Sequence, residues 1–69
     1  MWIMKIGELI RNRRKELGIT QPHLAELAEV SPNTLYKLEK GISNPSLDIV
    51  TKIADVLGME LKLEVKKKS

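Results

Sequence analysis

The chain of 69 residues carries 12 basic and nine acidic side chains, a formal net charge of +3, and enough Leu, Ile and Val for one small packed domain. With no Cys and a single His, disulfides and a structural zinc site are excluded, and neither a metal nor a cofactor is expected. No nucleophile–base pair, glycine-rich phosphate loop, membrane-length apolar run or signal sequence stands out, which argues against an enzyme and favours a cytoplasmic protein with an anionic partner.

Two helices are predicted in the first part of the chain. The first runs from about residue 5 to residue 17, and Gly18 is placed to end it. The second follows Thr20, an N-cap residue, and accepts Pro22 in its first turn because the missing N–H has no helical partner there. Their apolar residues recur at helical spacing: Ile6, Leu9, Ile10 and Leu17 in the first helix, and Leu24, Leu27 and Ala28 in the second.

Two further helices are predicted after residue 30. Ser31 and Pro32 supply the N-cap and the first residue of the third helix, which Gly41 ends. Ser46 caps the fourth helix, which Gly58 ends. The residues predicted for the inner faces are Leu35 and Leu38 in the third helix and Leu47, Val50, Ile53, Ala54 and Leu57 in the fourth.

The tail of the chain changes to a period of two, which predicts a strand over residues 59–65. Its apolar residues, which we expect to mediate dimerisation, are Met59, Leu61, Leu63 and Val65. A strand needs a hydrogen-bonding partner, either residues 2–4 or the same strand of a second chain in a two-fold dimer. An extension of the fourth helix or a frayed end is the alternative.

The second and third helices have the spacing of a helix-turn-helix motif, over about residues 20–40. The outward stripe of the third helix carries Asn33, Tyr36, Lys37 and Lys40, with Thr34 beside it. Asn, Lys and Thr side chains suit base edges and phosphates in DNA. A merely solvated polar face is the alternative, but the polar N-terminus of this helix, in this motif, favours readout of the major groove.

Several segments together resemble the phage-repressor and Cro-like (XRE-type) helix-turn-helix family, over about residues 6–58. They are IGELIR at 6–11, Arg14, GITQ at 18–21, LA at 24–25, VS at 30–31, LEKG at 38–41 and NPS at 44–46. The resemblance implies a mainly α, lambda-repressor-like domain of four to five helices with a short C-terminal strand. It also implies a homodimer that binds a palindromic operator in double-stranded DNA.

The resemblance also implies roles for single residues. Gln21 is expected to contact phosphate and to buttress the recognition helix. The residues expected to face base edges are Pro32, Asn33, Thr34 and Lys37, and those expected to follow the DNA backbone are Lys40, Ser43 and Asn44; Ser31 and Tyr36 complete the predicted DNA-binding set. The strand-like tail is similar to that of HipB-like antitoxins, which pair such strands across a dimer and bind a toxin kinase.

Two charges lie on faces that the apolar pattern assigns to the interior. Arg14 lies on the apolar stripe of the first helix, and Glu39 lies on the inner side of the third. We predict that they form a partly buried ion pair that fixes the third helix against the first, as the resemblance also implies. Three other basic residues of the first helix, Arg11, Arg13 and Lys15, lie either near phosphates or on a solvated face.

The sequence departs from the family at the turn before the recognition helix, where relatives often have Gly and this chain has Glu29. A left-handed backbone at this residue would cost about 1–2 kcal/mol. Pro32 also lacks a side-chain hydrogen-bonding group at a position where relatives often contact a base.

The function that these patterns favour is a sequence-specific DNA-binding transcriptional regulator, a repressor that acts as a homodimer, of bacterial or phage origin. The alternative is an antitoxin that binds a HipA-like toxin kinase and autoregulates its operon. A helical adaptor that does not bind DNA is a third interpretation.

Overall fold

The computed structural model describes residues 2–62 and residue 65, with side chains described from residue 5 onward. Within these residues four helices follow one another: α1 (Trp2–Glu16), α2 (Gln21–Leu27), α3 (Pro32–Lys40) and α4 (Leu47–Val56). The prediction of four helices is confirmed, although α1 begins earlier than the predicted residue 5. Within the described residues, none of these helices is long and apolar enough to cross a membrane.

Hydroxyl side chains cap the N-termini of α2, α3 and α4. Thr20, Ser31 and Ser46 have extended backbones, and each side-chain oxygen accepts a hydrogen bond from the backbone N–H three residues later, at 3.3, 3.0 and 3.2 Å. Each cap satisfies one N–H group that has no partner within its helix. The predicted starts of these three helices are therefore confirmed.

The core lies where α3 packs against α1 and α2, and where α4 packs against α2. Its largest fully buried side chains are Leu24, Leu35, Leu38, Ile53 and Leu57. Four leucines that were predicted on apolar helix faces are exposed: Leu9, Leu17, Leu27 and Leu47. Leu27 is the last residue of α2. Leu17 lies beyond the last residue of α1 and Leu47 is the first residue of α4, so helical periodicity does not turn either side chain inward.

A close approach between α1 and α3 occurs at Gly7. This residue is buried, and a Cβ atom at its position would clash with the backbone oxygen of Leu38 and would lie 3.1 Å from the backbone oxygen of Glu39. Backbone oxygens of a helix cannot move aside as a flexible side chain can. The packing of α1 on α3 therefore requires glycine at position 7, which the sequence pattern did not reveal.

The turn between α2 and α3 has a left-handed residue that is not glycine. Glu29 has a φ of 58°, and its backbone N–H donates to the Glu26 oxygen at 3.1 Å. The next N–H, of Val30, donates to the Ala25 oxygen at 3.0 Å and so closes the end of α2. These bonds have the pattern of a helix terminus that normally contains glycine. The glutamate therefore holds a strained backbone in the turn that orients α3.

Glu29→Gly is expected to stabilise the protein by about 1 kcal/mol, because removal of the Cβ relieves a strain of about 1–2 kcal/mol at the cost of greater freedom in the unfolded chain. Urea unfolding of the two proteins measures the difference. Glu26→Gly, at an exposed helical position of α2, is the matched control and should destabilise by about 1 kcal/mol. Destabilisation of similar size by both changes would contradict the assignment of strain.

The predicted strand over residues 59–65 is not formed in the described part of the tail. Residues 59–62 and Val65 have no strand conformation, and the N–H of Met59 still donates to the Ala54 oxygen at 2.8 Å. Pairing with residues 2–4 is wrong, because these residues belong to α1 and their carbonyl groups accept hydrogen bonds along the helix. Leu63 lies outside the described residues. Pairing with a second chain stays a prediction.

Candidate nucleic-acid interface

The helix-turn-helix motif consists of α2, the turn at residues 28–31, and α3. Packing of α3 against α1 and α2 leaves one face of α3 in solvent. On this face Asn33, Tyr36, Lys37 and Lys40 are exposed, as is Pro32 at the start of the helix. Asn33 and Lys37, whose side-chain types can bond to base edges, thus lie four residues apart on one exposed stripe.

The first turn of α3 is ordered by hydroxyl groups. The Ser31 hydroxyl donates to Thr34 Oγ1 at 2.7 Å and accepts from the Thr34 N–H at 3.0 Å. The half-buried Thr34 side chain is therefore fixed, and its own hydroxyl proton is left to donate outward. The N-terminal end of the exposed face is preorganised in this way.

The C-terminal half of the exposed face combines an aromatic ring with a cation. The Lys40 ammonium lies 5.7 Å from the centre of the ring of Tyr36, a residue one helical turn earlier in α3. This distance is within the range of a cation–π interaction, which is worth about 0.5–1 kcal/mol at an exposed site. After α3, the half-buried Ser43 and the exposed Asn44 lie in the connection to α4.

Arg14 of α1 and Glu39 of α3 form a bidentate salt bridge beneath this face. Arg14 Nε donates to Glu39 Oε2 at 2.8 Å, and Nη2 donates to Oε1 at 3.0 Å. The third guanidinium nitrogen, Nη1, donates to the backbone oxygen of Ile19 at 2.9 Å. The exposed fractions of the two side chains are only 12% for Arg14 and 2% for Glu39. The pair predicted from the sequence is thus brought together, with Glu39 buried and Arg14 partly buried.

Gln21 joins the same network from the first residue of α2. Its Nε2 donates to Glu39 Oε1 at 3.0 Å, so that one carboxylate holds α1, α2 and α3 together. No buried side-chain nitrogen or oxygen in the described part of the chain lacks a hydrogen-bond partner. The network therefore fixes α3 without leaving an unsatisfied polar atom, which would cost free energy.

Arg13 has a different role from its neighbour Arg14. Its Nε donates to the backbone oxygen of Leu57 at 3.0 Å, and its Nη1 lies 3.5 Å from Glu16 Oε1. Leu57 is the C-cap of α4, so Arg13 satisfies a carbonyl group at the end of that helix. The sequence did not indicate this bond, because the position of α4 relative to α1 depends on the whole fold.

The chain was compared with known proteins. Residues 10–63 match the family model described as Helix-turn-helix. The chain is 52% identical over 52 residues to an uncharacterized HTH-type transcriptional regulator of Methanothermobacter thermautotrophicus, an alignment that covers 75% of both proteins. It is 35% identical over 55 residues to a provisionally named HTH-type transcriptional regulatory protein of Aeropyrum pernix. The fold matches the crystal structure of the clp gene regulator ClgR from Corynebacterium glutamicum, with a TM-score of 0.81 and 30% sequence identity.

The lengths and sources of these proteins differ. The alignments cover 80% of this chain but 17% of the Aeropyrum protein, and 86% of this chain but 63% of the Corynebacterium chain. The two sequence relatives come from archaea, so the expected bacterial or phage origin is not supported. The family match spans most of the chain and contains α2, α3 and α4 entirely. The chain belongs to the helix-turn-helix family of DNA-binding proteins.

Proposed function

We propose that the protein is a sequence-specific transcriptional regulator that binds an operator as a homodimer and represses transcription. The observation that carries this proposal is the exposed polar face of α3, which the buried Arg14–Glu39–Gln21 network holds rigidly in a helix-turn-helix. A fixed recognition helix suits base readout, because rigid placement of side chains lowers the cost of forming directional contacts. Support also comes from relatives that are named transcriptional regulators.

The candidate residues divide into two groups by chemistry. Those assigned to base edges in the major groove are Pro32, Asn33, Thr34, Tyr36 and Lys37, which lie on or beside the exposed face of α3. Those assigned to the phosphate backbone are Gln21, Lys40, Ser43 and Asn44, while Ser31 belongs with the first group through the hydrogen bonds that order Thr34. Contacts of the first group would select the sequence, and contacts of the second would set the position of the protein on the duplex.

The homodimer is proposed to form through the tail and the neighbouring surface of α1. Met59 and Leu61 line a small apolar groove with Leu9 of α1 and residues of α4. Leu9 and Leu61 are nevertheless exposed, and Val65 is 95% exposed. A second copy that placed the same tail antiparallel to the first would cover these side chains and pair the open backbone groups. No observation on the described residues favours the antitoxin alternative, which stays a prediction.

Selection of bound duplexes from a random DNA pool, at low and at near-physiological salt, tests the proposed function. We expect enrichment of a palindrome whose half-sites are about 34–36 Å apart, one turn of B-DNA, because a two-fold dimer presents two recognition helices. Sedimentation equilibrium of the free protein measures the dimer independently. Binding that disappears with salt and enriches no sequence would contradict the proposal, since phosphate contacts alone give that result.

Lys37→Ala and Lys40→Ala are expected to weaken DNA binding in different ways. Loss of a base contact by Lys37→Ala should cost about 1–3 kcal/mol on the selected duplex and relax the preference at particular base pairs. Loss of a phosphate contact by Lys40→Ala should weaken binding to all duplexes alike and lower the slope of log K against log salt by about 1. Titration of both variants against the selected duplex and single-base variants measures this. A uniform loss for both would contradict the assignment of Lys37.

A further inference from the structure

A groove of about 370 Å³ separates the C-terminal half of α1 from α3. Its lining residues are Arg11, Arg14, Lys15, Gln21, Tyr36, Glu39 and Lys40. Arg14, Gln21 and Glu39 form its floor, where their polar groups bond to one another. Arg11 and Lys15 stand on the α1 side, one helical turn apart, and Tyr36 and Lys40 stand on the α3 side.

The basic side chains that line this groove outnumber its acidic side chains by three. The salt bridge of Arg14 with Glu39 is neutral, so Arg11, Lys15 and Lys40 give the groove a net charge of +3. The formal net charge of the chain is also +3, from 12 basic and nine acidic residues. The remaining eight basic and eight acidic side chains balance, and the rest of the molecule is neutral on average.

The three cations of the groove are available to an external partner. Among residues 2–62 and 65, the side chains of Arg11, Lys15 and Lys40 take part in no salt bridge or hydrogen bond. Lys40 is held over the Tyr36 ring, and Arg11 and Lys15 are exposed. Arg13, by contrast, points to the end of α4 and bonds to Leu57. The sequence did not decide whether Arg11, Arg13 and Lys15 lie near phosphates or on a solvated face. Two of them, Arg11 and Lys15, line the groove, and Arg13 does not.

We propose that this groove binds the phosphate backbone of the DNA strand that borders the recognition helix, with Arg11 and Lys15 as phosphate-contacting residues. The proposal rests on the proposed function. Tyr36 and Lys40 border the groove and also belong to the exposed face of α3, so a duplex that receives α3 in its major groove brings one backbone over this rim. Cations on two facing helices are opposite in sign to the phosphate charges of that strand, which recur about every 3.4 Å of helix axis.

The salt dependence of DNA binding tests the assignment. Binding of the selected duplex is measured between about 50 mM and about 200 mM salt for the full chain and for Arg11→Gln/Lys15→Gln. Each phosphate contact contributes about 0.9 to the slope of log K against log salt, so loss of two contacts lowers the slope by about 2. The double variant should therefore lose about ten times more affinity at the lower salt than at the higher, with the selected base sequence unchanged.

Matched variants separate the groove from charge in general. Lys5→Gln/Lys52→Gln removes two exposed charges that do not line the groove and should keep the wild-type slope. Arg11→Lys/Lys15→Arg keeps both positive charges and should also keep the wild-type slope. Two results would overturn the groove assignment without contradicting specific DNA binding. One is a wild-type slope of log K against log salt in Arg11→Gln/Lys15→Gln, and the other is an equal decrease of this slope in Lys5→Gln/Lys52→Gln. Failure of the wild-type protein to select any duplex would instead overturn the proposed function.

Discussion

Glu39→Ala is expected to destabilise the protein by about 3–5 kcal/mol, which is a large part of the stability of a chain of this size. The substitution leaves the Arg14 guanidinium, with 12% of its side chain exposed, without its carboxylate partner. It also removes the acceptor of the Gln21 amide. Urea unfolding of wild type, Glu39→Ala, Arg14→Ala and the double variant gives the coupling free energy between the two side chains.

An exposed salt bridge of the same protein is the control for this double-mutant cycle. Lys52 and Asp48 form an exposed salt bridge at 3.8 Å, and Lys52→Ala should change the free energy of unfolding by less than about 1 kcal/mol. We expect the Arg14–Glu39 double variant to be much less destabilised than the sum of the single variants, because it leaves no unpaired buried charge. Additive effects of the two single substitutions would contradict the role assigned to the pair.

Gly7→Ala is the second substitution for which we expect a large effect, a net destabilisation of about 1–3 kcal/mol. Alanine favours helix over glycine by about 1 kcal/mol, so the sign depends on the clash with the backbone oxygen of Leu38. To relieve the clash, α1 must move away from α3. Thermal and urea unfolding of the variant measure the net effect.

Asn12→Ala is the matched control for Gly7→Ala, since Asn12 lies in the same helix and is exposed. It should be neutral or slightly stabilising, because only helix propensity changes. The displacement of α1 should also weaken the coupling between Arg14 and Glu39 when the cycle is repeated in the Gly7→Ala background, because Gly7 and Arg14 lie two turns apart on one face. A Gly7→Ala protein as stable as Asn12→Ala would show that the helices tolerate the added methyl group.

The helices and their caps could be predicted from the sequence because their causes are local. A hydroxyl residue before an apolar repeat, or a glycine after one, acts within a few residues of the chain. The association of Arg14 with Glu39 could be proposed because each charge occupies a position that the apolar repeat assigns to the interior. Glu29 was identified as the unusual residue of its turn for a similar reason, and its φ of 58° supplies the left-handed backbone that the family pattern implies.

Features that depend on how the helices meet were not visible in the sequence. Gly7 is one of four glycines in the sequence. Only the close approach of α1 to α3 shows that a residue with a Cβ atom does not fit at this position. Arg11, Arg13 and Lys15 look alike as a basic run, and the fold sends Arg13 to α4 and the other two to the groove. The tail was predicted as a strand because its apolar and polar residues alternate. This alternation indicates which side chains would share a face, but a strand also needs a backbone hydrogen-bonding partner, which the pattern does not supply.

The three-helix contact of Glu39 links the orientation of α3 to the stability of the fold. Its carboxylate is bonded from α1 through Arg14 and from α2 through Gln21, while its own helix carries the exposed side chains that we propose to contact DNA. A tilt of α3 relative to the domain breaks the same bonds whose loss accompanies unfolding. Heat or a substitution that breaks this network is therefore expected to change the orientation of α3 and to lower the free energy of unfolding at the same time.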